Sequence, residues 1–204
     1  HGSYAPKVER VNDVVAVLHG VRGQPNQRFP FVTSPSPLPV FMADPQLLRF
    51  VHKNAISNAC KYGKRGGAVT TEISFKDNEI TMNVTNLPGP YHEALVRMGN
   101  LARKAVFEPG NRLHPDLGVV HDLANLNQSQ THSSGDGGWI IKKCAKALGG
   151  DCSIKFHESR TVFTLRCPAK IERKMSIGNQ SDSEDLDASN FCIPPNTWGI
   201  GIDD

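Results

Sequence analysis

The 204 residues predict an α/β fold from three features. Four stretches read as helices, two pairs of short stretches alternate as hairpin strands, and the two kinds are interleaved along the chain. Glycine, proline and asparagine punctuate the boundaries between them.

Taken in order, residues 1–7 read as a tag remnant and leader, with His1-Gly2-Ser3 as a cloning scar. Apolar residues at Val8, Val11, Val14, Val15 and Leu18 have a helical period, ended by Gly20 and Gly23. Arg28 to Thr33 reads as a strand, Ser34-Pro35-Ser36-Pro37 as a turn, and Val40 to Met42 as a short strand. Asp44 is placed as an N-cap with Pro45 at the first helical position. The helix it opens has Leu47, Leu48 and Val51 on its inner face and ends at Gly63 to Gly67. Ala68 to Phe75 and Asn78 to Asn86 alternate around a Lys76-Asp77 turn. The second strand breaks off in Leu87-Pro88-Gly89-Pro90. Glu93 to Ala105 is predicted helical. Phe107 to Ser134 is polar and aperiodic, the composition of a lid or a disordered segment. Gly135-Asp136-Gly137-Gly138 opens a helix from Trp139 to Leu148, closed by Gly149-Gly150. Cys152 to His157 and Thr161 to Arg166 form a second hairpin. From residue 170 the composition shifts to Ser and Asp, as in a solvated linker.

The stretch richest in chemistry is Asn54-Ala-Ile-Ser-Asn58-Ala-Cys-Lys61-Tyr62. Residues four apart share a helix face, so Asn54 and Asn58 align, Lys61 extends the file and Tyr62 lies at its edge. An asparagine Oδ1 is a hard oxygen that can join a Mg²⁺ shell beside phosphates. Lys61 can meet an anionic oxygen as a point charge, and Tyr62 can lay its ring against a base. The alternative is an amphipathic surface helix with polar residues placed by chance. Gly135-x-Gly137-Gly138 before a helix exposes backbone N–H groups at the positive end of the dipole, which suits phosphate. Its alternative is a hinge. It lacks the Gly-Lys-Ser/Thr ending of a Walker loop and the third glycine of a dinucleotide fingerprint.

Composition narrows the classes. Lys and Arg number 23 against 20 Asp and Glu, a net +3, with no basic block interleaved with aromatics. Nucleic acid is therefore not an expected partner. No apolar run approaches the roughly 20 residues of a membrane span. Five cysteines without paired spacing fit reduced thiols and a cytoplasmic location.

In combination, these pieces resemble the ATP-binding catalytic domain of sensor histidine kinases, of the GHKL superfamily. The resemblance covers residues 8–169 and implies a Bergerat-type ATP-binding fold. That is a two-layer α/β sandwich, a mixed β-sheet with helices packed on one face. It implies ATP and Mg²⁺ as cofactors and transfer of the γ-phosphoryl to a histidine on a separate dimerisation domain. Asn54 and Asn58 match the N box, with Asn58 as the Mg²⁺ ligand. Lys61 and Tyr62 match its phosphate and adenine contacts. Phe107-Glu108-Pro109 and Arg112 match the F box that opens the ATP lid. Gly89 falls in the first Gly box and Gly135, Gly137 and Gly138 in the second. Thr161-Val162-Phe163 resembles the family's Gly-Thr-x-Phe, which gives Thr161 a water-mediated contact to adenine. By this resemblance the catalytic set is Asn54, Asn58, Lys61 and Arg112.

The chain departs from the family at several points. Asn86 stands where the first Gly box carries an Asp that accepts from the adenine amino group. Its amide can still accept, or can rotate to face guanine. Pro88 and Ser133 replace two box glycines. His157-Glu158-Ser159-Arg160 imitates the phosphoacceptor motif but lacks its proline and falls at a hairpin turn, and His92-Glu93 lacks the arginine. The acceptor is therefore expected on an upstream dimerisation domain. Residues 198–204, a short apolar run ending in Asp203-Asp204, resemble the first strand and acidic pair of a receiver domain, with 170–197 as linker. A receiver, in cis or in trans, is the other expected partner. His52 is read as peripheral and the other histidines as surface or loop residues. Two competing functions are a degenerate nucleotide-binding or scaffold module without turnover, and a clamp-driving ATPase. The second is disfavoured because the helix carries no Glu near Asn54 to act as general base.

Overall fold

The computed structural model describes residues 4–19, 28–114, 118–120 and 136–171. The chain divides into two compact units, Lys7–Glu172 and a second made of His1–Pro6 with Arg173–Asp204. Every helix and strand among the described residues belongs to the first.

The main sheet has five strands: β2 (Phe31–Ser34), β4 (Val69–Lys76), β5 (Glu79–Asn86), β8 (Asp151–His157) and β9 (Arg160–Pro168). Their order is β2-β4-β5-β9-β8. β2 runs parallel to β4 and the other pairs are antiparallel, so the sheet is mixed. Alternation sets its two faces. Ile80, Met82 and Val84 of β5 and Phe163, Leu165 and Cys167 of β9 are buried, while Thr81, Asn83, Thr85, Thr164 and Arg166 face the other way. The predicted two-layer sandwich is what the chain forms, because only one face of the sheet is apolar.

Helix α2 (Pro45–Tyr62) is the centre of the helical layer. It packs on α1 (Val14–His19), on α5 (Gly137–Ala147) and on β5. Asp44 caps it as expected, its Oδ1 accepting from Leu47 N at 2.9 Å with Pro45 following. The other oxygen, Oδ2, accepts from Lys7 N at 2.7 Å. Leu47, Leu48, Val51, Ala55 and Ala59 form the buried stripe. Shorter helices α3 (His92–Met98) and α4 (Asn100–Ala105) pack on β8.

Five local expectations are corrected. Residues 8–18 are not one helix. Glu9–Val11 form strand β1, paired with β3 (Phe41–Ala43), and the helix begins only at Val14, after Asp13 accepts from Ala16 N at 3.0 Å. Val8, which completed the helical period, is 64% exposed. The first hairpin turns at Asp77-Asn78, one residue later than predicted. Both have positive φ (52° and 57°), which Asp and Asn tolerate and which matches the strand twist. The helix predicted for 93–105 is two, broken at Gly99, whose φ is +54°. Within 107–134, β6 (Arg112–His114) pairs with β7 (Gly118–Val120), and most of the remaining predicted lid lies outside the described residues. Lys170–Ile171, assigned to the linker, form β10, which completes an antiparallel β1-β3-β10 sheet.

Candidate functional site

The amides of α2 face away from its apolar stripe, as the four-residue spacing requires. Asn54 and Asn58 are half-buried, and Lys61 and Tyr62 are exposed. Asn54 Nδ2 donates to Phe50 O at 2.9 Å. The Lys61 ammonium lies 5.2 Å from the centre of the Tyr62 ring.

Asn58 faces the start of α5. A Cβ on Gly137 would sit 4.0 Å from both Oδ1 and Nδ2 of Asn58. Gly137 therefore borders an amide without crowding it. Gly138 is held by packing instead. A Cβ there would meet Val106 O at 1.8 Å, so α5 and the end of α4 approach as only glycine allows. Asp136, just before α5, accepts from Gly110 N at 3.0 Å and ties the helix start to the segment after Phe107.

The C-terminal end of α2 meets Asn86, and Thr161 lies across from Asn86 in the sheet. These are cross-strand partners on β5 and β9, both buried on the helix side of the sheet. Asn86 Nδ2 donates to Leu87 O at 2.9 Å, and the same carbonyl accepts from Lys64 N at 3.1 Å. Rotating the amide would set Oδ1 against that carbonyl, so Oδ1 is the outward acceptor. Thr161 Oγ1 lies 3.3 Å from His92 Nδ1, and His92 Nε2 bonds the carbonyl of His157. Phe156 meets the imidazole edge-on at 6.4 Å. Gly89, in the loop after Asn86, lies directly on the end of α2.

No protein-family model and no curated protein matches the chain. Solved structures do match. The mycobacterial sensor histidine kinase MprB is 18% identical at a TM-score of 0.52, over 80% of this chain and 99% of that one. A nucleotide-free catalytic domain of the histidine kinase ThkA is 19% identical at 0.50, over 71% and 80%. Full-length ShkA, in complex with AMPPNP, is 21% identical at 0.51, and 72% of this chain spans 26% of its length. The fold is that of a histidine-kinase catalytic domain.

Within this histidine-kinase fold, the remaining predicted site residues distribute as follows. Phe107 is buried, with the Lys142 ammonium 5.8 Å from its ring centre. Arg112 opens β6, and its side chain lies outside the described residues, as does Gly135. Two histidines are corrected. His52 is not peripheral but 5% exposed on the inner face of α2, 2.9 Å from Thr71 Oγ1. Burial, with His19 nearby, pushes its pKa down to about 4. His92 is not a surface residue but is buried behind Thr161. Sequence reasoning missed both, since a histidine carries the same local signal buried or exposed. Among the described residues no cluster of His, Cys, Asp and Glu could by itself cage a metal, so a cation here would need phosphate oxygens beside an amide ligand.

A concavity of about 700 Å³ lies elsewhere, on the far face of the sheet, lined by Glu72, Asn83, Lys155 and Arg160 among others. It is the solvated side of an antiparallel sheet. None of the α2 amides lines it. No helix among the described residues is long and apolar enough to cross a membrane.

Proposed function

We propose that this chain binds Mg-ATP between α2 and α5 and presents the γ-phosphoryl to a histidine on a separate dimerisation domain. The observation that carries this reading is the Asn58 amide. It is half-buried, makes no hydrogen bond among the described residues, and faces Gly137 at the N-terminus of an 11-residue helix. A bare amide beside a helix N-terminus is a fitting place for a phosphate-bound cation. The likeness in fold to kinases, one of them in complex with AMPPNP, supports the same assignment.

The roles follow from chemistry. Asn58 Oδ1, with Asn54 beside it, would hold Mg²⁺, which supplies charge neutralisation on the phosphates. Lys61 and Arg112 would meet phosphate oxygens, and Gly135, Gly137 and Gly138 the phosphates through their backbone. Tyr62, Asn86, Gly89 and Thr161 would form the adenine end. Phosphoryl transfer asks mainly for such positioning and charge stabilisation. A receiver domain is the expected partner for the phosphohistidine that results.

A second reading, nucleotide binding without turnover, is favoured by Asn86, which lacks the charge of an aspartate. Calorimetric titration with ATP, with and without Mg²⁺, tests the first step. Magnesium-dependent binding is expected, and no binding removes both readings. Acid-labile phosphate on a histidine-bearing dimerisation domain supplied in trans would then separate the kinase from the binding module.

A further inference from the structure

We propose that His92 is a positioning residue that makes the base end of the site selective for adenine, by fixing the direction of the Thr161 hydroxyl. The inference rests on the reading that a nucleotide base lies against Asn86.

His92 Nε2 faces a carbonyl, that of His157, so this nitrogen carries the hydrogen and donates. In a neutral imidazole the other nitrogen is then an acceptor. Nδ1 lies 3.3 Å from Thr161 Oγ1, so the threonine hydroxyl donates to it. Thr161 has no second proton, and Oγ1 offers only lone pairs to anything else. Asn86, its cross-strand partner, is fixed the same way. One N–H of its amide is committed to Leu87 O, which fixes the amide's orientation and makes Oδ1 the acceptor. Two adjacent groups, each about nine-tenths buried, thus present acceptor oxygens, and the Thr161 hydroxyl has no proton left to donate. An exocyclic amino group, as on adenine, satisfies them directly or through one water. A carbonyl in the same place, as on guanine, meets two acceptors and leaves buried groups unpaired, the arrangement that discriminates most strongly.

The test has a nucleotide arm and a nucleotide-free arm. The parent should bind ATP at least tenfold more tightly than GTP, about the worth of one buried hydrogen bond. His92→Phe keeps the ring against Phe156 but frees the hydroxyl to turn, so the ATP-to-GTP ratio should narrow by about tenfold. Thr161→Val should narrow it similarly, and His92→Phe added to Thr161→Val should do nothing further, because His92 acts only through that hydroxyl. A merely structural His92 would weaken both nucleotides equally and leave the ratio alone, which overturns the proposal. A parent that binds ATP and GTP equally overturns the selectivity but leaves the nucleotide site standing, whereas a parent that binds neither removes both. Independently of any nucleotide and of whether the variants fold, ¹⁵N–¹H correlation of the parent imidazole should show His92 protonated at Nε2 and bare at Nδ1. Any other protonation state overturns the lock.

Discussion

The backbone of Gly89 lies against the carbonyl of Tyr62 so closely that a Cβ on Gly89 would stand 2.0 Å from that oxygen and 2.9 Å from Gly63 O. The loop after β5 and the end of α2 are therefore one packed unit, and the proposed adenine and phosphate groups are carried on it. Both clashing atoms are backbone and cannot rotate away. Gly89→Ala should destabilise the fold by about 1–3 kcal/mol, as overpacking does. A lowered urea midpoint with an unchanged slope would show it.

Asn58 presents the opposite case. Its side chain makes no hydrogen bond among the described residues and is half-buried, so Asn58→Ala should change stability by less than about 0.5 kcal/mol. If the amide holds the cation, the extra ATP affinity conferred by Mg²⁺ should vanish in the same variant. Equal magnesium-dependent affinity in parent and variant would remove Asn58 from the site.

Asn86→Asp looks conservative in sequence and is not so in structure. The NH₂ that donates to Leu87 O at 2.9 Å becomes an oxygen facing an oxygen. The variant should lose about 1–3 kcal/mol at pH 7, the cost of a lost buried bond plus repulsion. The introduced carboxyl, set against a carbonyl, should have its pKa raised above its unfolded value. Its stability is then fullest at low pH, where the acid can donate, and falls as pH rises through the folded pKa. Urea midpoints of parent and variant between pH 3 and pH 7 should therefore diverge with rising pH.

His52 sets an acid limit on the parent. Burial is the larger cause of its lowered pKa, about 4 against 6.5 for a free histidine, and His19 adds to it. The unfolded chain therefore binds a proton that the folded chain refuses, and stability falls as pH drops from about 6.5 to about 4. The loss is on the order of 3 kcal/mol for the full shift. His19, lowered by burial as well, acts in the same direction. His52→Gln, which can still reach Thr71, should flatten this part of the curve. A parent whose unfolding free energy is constant over that range would contradict the buried, neutral assignment.

The thiols should divide by burial. Burial pushes the Cys144 thiol up to about 11 and those of Cys152 and Cys167 up to about 12, and all three are buried. Cys60 on α2 is only half-buried. Among these four, a thiol-specific label should reach Cys60 first and the others at the rate of unfolding. Fast labelling of Cys144 in the native protein would count against its place in the core.

What the sequence by itself determined are the features whose free energy is local. Asp44 and Pro45 start α2 because a cap and a preset φ act within one turn. The 3.6-residue period sorts Leu47, Leu48 and Val51 from Asn54 and Asn58 without reference to any other element. The two-residue alternation of β4, β5 and β9 marks both hairpins for the same reason. Tertiary structure decided whatever depends on a partner far along the chain. Glu9–Val11 are a strand because Phe41–Ala43 lie beside them, although their own spacing reads as helix. His52 is buried because Thr71 and the sheet cover it, and His92 because β8 and β9 do. The direction of the Asn86 amide is set by one carbonyl and that of the Thr161 hydroxyl by one imidazole. Neither partner changes the periodicity of its own segment. Hydrogen-bond direction and burial are pairwise properties, and they exist only once the sheet has brought the pairs together.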